Sequence, residues 1–264
     1  MIPLRDNIRP NILPLFTVAL IAANIGVFFN ELRWTPADFK FWVDLLGVTP
    51  LRLTTAVHEG SLNPISYLPL ITNLFLHGGW MHIIGNLWFL WLFGSSVEYC
   101  LGHGHFLLFY FLCGIIANLT QVVVDPISAV PVIGASGAVS GILGAYAICF
   151  PFAKIKTLVP LFFIFTIIEI PALAFLAIWF FYQLQSGAAA LSMGGSGIAW
   201  WAHVGGFVAG ALLNAALNEQ REVALKPGQT LTLHGDDYRF DGVRREDCPN
   251  YTADIGAERT LVVW

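Results

Sequence analysis

The chain has 264 residues, of which 56% are hydrophobic and 11% charged, with a net charge of -4 and a mean hydropathy of +0.69. A soluble domain is about 25% charged, so the composition excludes a disordered chain and an ordinary water-soluble enzyme, and the small net charge gives no sign of nucleic-acid binding. Between Gly60 and Leu217 the charged residues are Glu98, Asp125, Lys154, Lys156 and Glu169, whereas half of all the charges follow Leu217, which marks an embedded body (1–217) and a polar tail (218–264).

A helix crossing the hydrocarbon core needs about 20 mainly apolar residues. Six stretches meet that need, and they predict an all-α polytopic membrane protein. The first, Leu13–Asn30, has no small-residue cleavage site behind it and reads as a retained signal anchor. A long first loop (31–73) follows. It mixes charges with Trp34, Trp42 and several prolines, as an interfacial, partly helical segment does. The remaining spans are Leu74–Phe93, Phe106–Val124, Val132–Phe152, Leu158–Tyr182 and Ile198–Leu217. In the tail, Thr230–Leu233 alternates, Gly235-Asp236-Asp237 reads as a turn, Tyr238–Phe240 as a returning strand and Thr260–Trp264 as a further β-like stretch, which together predict a small β module. Cys100, Cys113, Cys149 and Cys248 are scattered and suggest neither a disulfide framework nor a metal site.

Lys and Arg set the orientation. An inside N-terminus puts Arg5, Arg9, Lys154, Lys156, Arg221 and Lys226 on the cytoplasmic side and leaves Arg33, Lys40 and Arg52 outside. Both termini are therefore expected in the cytoplasm.

Polar residues inside spans are expensive and mark function by default. The second span holds His77, His82 and Asn86, the fourth Ser136 and Ser140, the fifth Glu169 near its middle, and the sixth His203. Spans two, four and six run in the same direction, so His82, Asn86, Ser136 and His203 fall at a similar depth near the outer face. His82 and Asn86, four apart, share a helix face. Gly137, Gly141 and Gly144 leave a bare groove on span four, and Gly206 and Gly210 answer on span six. Such faces let helix backbones approach closely, which a short serine side chain needs to reach a histidine on a neighbouring helix.

A serine hydroxyl becomes nucleophilic when a base within hydrogen-bond reach takes its proton, and a neutral imidazole suits that role. Acyl transfer also requires donors aimed at the oxyanion; His82, Asn86 and the Ser136 backbone N–H are candidates. With no carboxylate at that depth, a Ser136–His203 dyad is the economical arrangement. Ser140 reads as a packing residue, and His103 and His105 have too few companions for a metal site. Glu169, before Pro171, reads as structural or gating, and Trp179 to Tyr182 as an aromatic belt.

Gly134-Ala135-Ser136-Gly137, Ala202-His203 followed by Gly206 and Gly210, and His77, His82 and Asn86 together resemble the rhomboid intramembrane serine proteases. Glu98 and Gly102 resemble that family's acidic–glycine pair after the second span. The resemblance covers about Leu74 to Leu217 and implies a six-transmembrane-helix rhomboid-like bundle. Ser136 would be the nucleophile, His203 the general base, and His82 and Asn86 would hold the oxyanion. Gly134 would shape the loop, Gly137 and Gly206 would support the site, and His77 would line its mouth. The fifth span and the segment Gln183–Ala199 would act as gate and cap. The implied substrates are single-span membrane proteins cut near the outer end of the span, with the lipid bilayer as the other partner and no cofactor, metal or nucleic acid. The site would open to the outer face of a membrane, expected to be a prokaryotic plasma membrane. Position 140 is serine where some members carry an aromatic, and the first loop lacks the Trp-Arg pair that some members have. The other reading kept open is a catalytically silent relative that binds transmembrane clients.

Overall fold

The computed structural model describes residues 1–8, 13–161, 164–193, 197–219, 230–233, 236–239, 243–248 and 251–256. Arg9, Arg221, Lys226 and Thr260–Trp264 lie outside the described residues. The chain divides into two units, Met1–Ala215 and Ala216–Trp264.

The first unit opens with strand β1 (Ile2–Arg5) and helix α1 (Leu15–Glu31). The long loop then folds into α2 (Pro36–Leu46), α3 (Pro50–His58) and the single turn α4 (Pro69–Thr72). Each begins at a proline, whose fixed φ suits the first helical position. Thr35 and Asp38 form a reciprocal capping box at the start of α2, and the Thr35 hydrogen bonds hold the Asp38 carboxyl below the usual carboxylate range. The long helices α5 (Trp80–Leu101) and α6 (His103–Val124) follow, joined at Gly102 with φ +78°. Next come α7 (Ser136–Cys149), the strands β2 (Lys154–Leu161) and β3 (Ile164–Pro171), and the helices α8 (Ala172–Met193) and α9 (Trp200–Glu219). Among the described residues, α6 and Ala172–Ser192 of α8 are long and apolar enough to cross a bilayer; α1 and α7 are apolar but shorter.

The fifth expected span, Leu158–Tyr182, is corrected by this structure. Its first half is sheet, and the helix begins only at Ala172. β2 and β3 pair antiparallel from Lys154 opposite Pro171 to Leu161 opposite Ile164, and β1 adds to the other edge of β2 with Ile2 opposite Leu158. The reason lies in the residues. Ile155, Thr157, Val159, Thr166, Ile167, Ile168 and Ile170 are β-branched, and Pro160 and Pro171 interrupt any helix. Ile155 and Thr157 are buried while Lys154 and Lys156 are not, the period of a strand. Glu169 is accordingly not a mid-membrane carboxylate. It sits on β3, half exposed, 3.5 Å from Lys156 Nζ and 3.9 Å from Lys154 Nζ.

Glu98 occupies a different environment. It is fully buried near the end of α5 and accepts the Phe16 N–H at 2.9 Å and the Thr17 N–H and hydroxyl at 2.7 Å each. A carboxylate at the first turn of α1 meets the positive end of that helix, and His103 at the start of α6 also contacts it. Three helix ends are therefore gathered on one carboxylate. At the same end of the bundle Tyr146 and Ser96 donate to Asp6, which fastens the N-terminal segment to α7 and α5. Cys100 and Cys149 are paired in a disulfide across the ends of α5 and α7, a correction to the expectation from cysteine spacing. Their separation of 49 residues gives no local motif.

In the second unit β4 (Thr230–Leu233) pairs antiparallel with β5 (Asp236–Arg239), and β6 (Val243–Cys248) with β7 (Tyr251–Gly256). The first of these hairpins falls where alternation predicts one, although Asp236 and Asp237 stand in the returning strand and not in the turn.

The two carboxylates separate cleanly by experiment. Glu98→Ala orphans three donors and should destabilise the protein by about 3 kcal/mol or more, whereas Glu169→Gln removes exposed ion pairs and should change stability by less than about 0.5 kcal/mol. Thermal unfolding of the purified full chain in detergent measures both.

Candidate active site

Ser136 is the first residue of α7 and His203 the fourth of α9. The two helices meet on their glycines. A Cβ on Gly206 would strike the Gly137 carbonyl, one on Gly210 the Gly141 carbonyl, and one on Gly144 the Phe207 carbonyl. Backbone lies against backbone, and Ser136 Oγ stands 2.8 Å from His203 Nε2. Both residues are half-buried.

The other face of the site comes from α5 and the turn before it. His82 and Asn86 are the third and seventh residues of α5, so they too lie within the first two turns. Gly134, two residues before the serine, has φ +115°, and a Cβ there would meet His82 Nε2 at 2.5 Å and Asn86 Nδ2 at 3.5 Å. Both a left-handed backbone and the absence of a side chain are therefore required at Gly134. His82 Nδ1 accepts the Gly78 N–H at 3.3 Å, which leaves the proton of a neutral ring on Nε2, the atom beside Gly134. His77 precedes α5 and is buried, so it does not stand at an open mouth. Its Nε2 lies 3.0 Å from Asn86 Nδ2 and its Nδ1 3.2 Å from the Phe75 carbonyl. With Nδ1 protonated, the ring accepts one Asn86 N–H and orients that carboxamide. Ser140 donates its hydroxyl to the Ser136 carbonyl at 2.7 Å and so turns away from the imidazole.

The loop that carries Ser136 is tied to the long first loop. Val48 and Val132 exchange backbone hydrogen bonds of 3.0 and 2.8 Å. The Gly134 N–H donates to the Asn73 carbonyl at 2.8 Å, and the side chains of Asn73 and Asn118 pair reciprocally at 2.9 Å. The Glu31 carboxylate, at the end of α1, accepts the His77 N–H at 3.1 Å.

Several residues around the imidazole escaped sequence reasoning. Gln183 Oε1 is 2.9 Å from His203 Nδ1. It was expected in a cap segment starting at Gln183, yet α8 continues to Met193 and Gln183 is a buried residue inside it. Trp179 and Trp200 flank the ring of His203 at centroid distances of 6.4 and 6.1 Å. Trp179 and Phe180 also pack on Phe207 of α9, whereas Phe181 and Tyr182 are exposed. The available signal was a glutamine in an apolar helix, the same kind that singled out His203.

The family model of the Rhomboid domain matches residues 65–220. The chain is 43% identical over 77 residues to the putative rhomboid protease YdcA of Bacillus subtilis, which covers 29% of this chain and 38% of that protein. It is 30% identical over 169 residues to the mitochondrial rhomboid protein 1 of Saccharomyces cerevisiae, 61% of this chain and 46% of that protein. Rhomboid protease GluP of Bacillus subtilis is 42% identical over 76 residues, 29% of this chain and 14% of that protein. The chain thus spans less than half the length of these relatives.

Gly134→Ala combines backbone strain with a collision on His82. It should slow labelling of Ser136 by a fluorophosphonate at least about tenfold, since misplacing reacting groups by 1 Å can lose 10²-fold in rate. Time courses on purified protein, with folding followed by thermal unfolding, read the effect.

Proposed function

The chain belongs to the rhomboid family of integral membrane proteins, and on that premise we propose that it is an intramembrane serine endopeptidase acting through a Ser136–His203 dyad. The observation that carries this reading is the 2.8 Å separation between Ser136 Oγ and His203 Nε2, a distance at which the imidazole can take the hydroxyl proton.

In the proposed reaction Ser136 Oγ attacks the scissile carbonyl carbon while its proton passes to His203 Nε2. The carbonyl oxygen becomes an oxyanion, held by His82 Nε2–H, the second Asn86 N–H and the Ser136 backbone N–H. Such donors act best where water is scarce and their dipoles are already oriented. The C–N bond then breaks, and the imidazolium gives its proton to the departing amine. Water, deprotonated by His203, hydrolyses the acyl-serine and restores the hydroxyl. No step uses a metal.

The reading extends to topology. Six spans with both termini cytoplasmic put the starts of α5, α7 and α9 together at the outer face, where Asn86, His82, Ser136 and His203 all stand in the first two turns. The 14-residue α7 is about 21 Å long at 1.5 Å per residue, against roughly 30 Å of hydrocarbon. A helix that short supports a recessed start, with the Gly134 loop dipping in from the outer surface. Single-span proteins cut near the outer end of their span are the substrates that fit such a depth.

The test is cleavage of a model single-span protein by the purified full chain. Wild type should cut, and Ser136→Ala and His203→Ala should each lose at least about 10³-fold in rate, with a chelator without effect. Activity that survives Ser136→Ala overturns the dyad. Client binding without cleavage by wild type and Ser136→Ala alike would replace the protease with a silent client-binding relative.

A further inference from the structure

A dyad lacks the third group that, in triads, holds the base histidine in one tautomer. Here the His203 ring must present a bare Nε2 to the Ser136 hydroxyl, so its proton must reside on Nδ1. An imidazole free to exchange tautomers or to turn about χ2 spends part of its time unable to act as base.

The neighbour of Nδ1 is Gln183 of α8, its Oε1 at 2.9 Å. Gln183 is buried, 5% exposed. Trp179 lies one helical turn before it and Gly187 one turn after, so the three share a face, and all three meet α9. Trp179 packs on His203 and Phe207, and Gly187 lies against Trp200 and Trp201, where an added Cβ would find Trp201 Cε2 at 3.2 Å and Trp200 Cβ at 3.3 Å. The missing side chain at Gly187 lets α8 come close enough to α9 for a glutamine to span the gap. A glutamine carbonyl is an acceptor that carries no charge, so it orients the imidazole without favouring the imidazolium in the resting state.

We infer that Gln183 is the positioning residue of the dyad, accepting the His203 Nδ1–H through Oε1 and so holding Nε2 unprotonated and aimed at Ser136. Gln183 meets the imidazole at Nδ1 and not at the reacting Nε2, and so acts through His203. The inference rests on the protease reading above and adds to it the group that completes the hydrogen-bond chain Ser136–His203–Gln183.

The experiment compares Gln183→Leu and Gln183→Glu with wild type, Ser136→Ala and His203→Ala, all as full-length protein. Single-span cleavage and fluorophosphonate labelling are followed across pH. Gln183→Leu removes the acceptor and should lower kcat about 10- to 100-fold, part of the 10²–10⁴ that a positioned base supplies, with KM changed less than about twofold. Gln183→Glu keeps shape and acceptor but brings a carboxylate to the imidazolium. It should retain most of the activity while moving the acid limb of the kcat–pH profile to higher pH, because the base is then protonated over a wider range. Of the groups facing the ring, His82 on α5 is titratable; the contacts from α8 and from α9 itself are Trp179, Gln183 and Trp200, and Ser136 comes from α7. His82 is common to every variant and cancels in the comparison. Wild-type kcat in Gln183→Leu, or an unmoved acid limb in Gln183→Glu, overturns the inference. Should Gln183→Leu fail to fold, the profile of Gln183→Glu decides alone. If Ser136→Ala and His203→Ala remain active, the dyad itself has failed; if they are silent while Gln183→Leu matches wild type, only the role of Gln183 has.

Discussion

The contact between α7 and α9 governs the rest of the molecule. Serine has one of the shortest reactive side chains, and it reaches an imidazole on another helix only if the two backbones nearly touch. Lipid offers no hydrophobic drive for such an approach, so helices in a bilayer rely on small residues and close van der Waals fit. Gly206 against the Gly137 carbonyl and Gly210 against that of Gly141 supply the fit, with Gly144 on the Phe207 carbonyl one turn further. The faces run for more than two turns beyond the site, so crossing angle and depth are set together and the 2.8 Å contact follows from the packing of whole helices. A side chain larger than hydrogen at these positions widens the interface along its length and separates Ser136 from His203.

A second constraint sets the approach to the serine. Gly134 holds a backbone conformation open to few residues, and its lone hydrogen lets His82 and Asn86 lie against the loop. Unsupported, a positive-φ loop above a helix start would relax. Its supports come from the long first loop and from α6: Val48 on Val132, Asn73 on Gly134, and Asn118 on Asn73. The mixed composition of residues 31–73 thus has a purpose beyond lying at an interface. Its helices and turns brace the strand-like segment leading to Ser136, and the carboxylate of Glu31 fixes the turn from which His77 orients Asn86.

Much of this was legible in the sequence for one reason, which is that a polar side chain stands out in an apolar run. That signal picked out Ser136, His203, His82 and Asn86, and glycine spacing at three and four residues disclosed the faces that bring α7 and α9 together. It failed where the apolar run itself was misread. Residues 158–171 are apolar enough to open a span, and length and hydropathy alone do not separate a β-branched strand pair from a helix. Assigning that run to the membrane displaced the fifth span by more than ten residues, put Glu169 at mid-depth and ended the helix at Tyr182, one residue before Gln183. The error in a boundary became an error about chemistry. The disulfide between Cys100 and Cys149 was illegible for a different reason, being a product of which helix ends meet in space.

The surroundings of His203 are supplied by helices other than the one that carries Ser136. Position 140 carries no ring, and Ser140 turns its hydroxyl back to its own helix. The rings nearest the imidazole among the described residues are Trp179 from α8, tilted at 37°, and Trp200 at the start of α9, edge-on at 87°. Because Trp179 and Gln183 both ride on α8, that helix supplies a wall of the imidazole and the acceptor for its far nitrogen. The placement of the imidazole therefore depends on where α8 lies as well as on the glycine contact between α7 and α9.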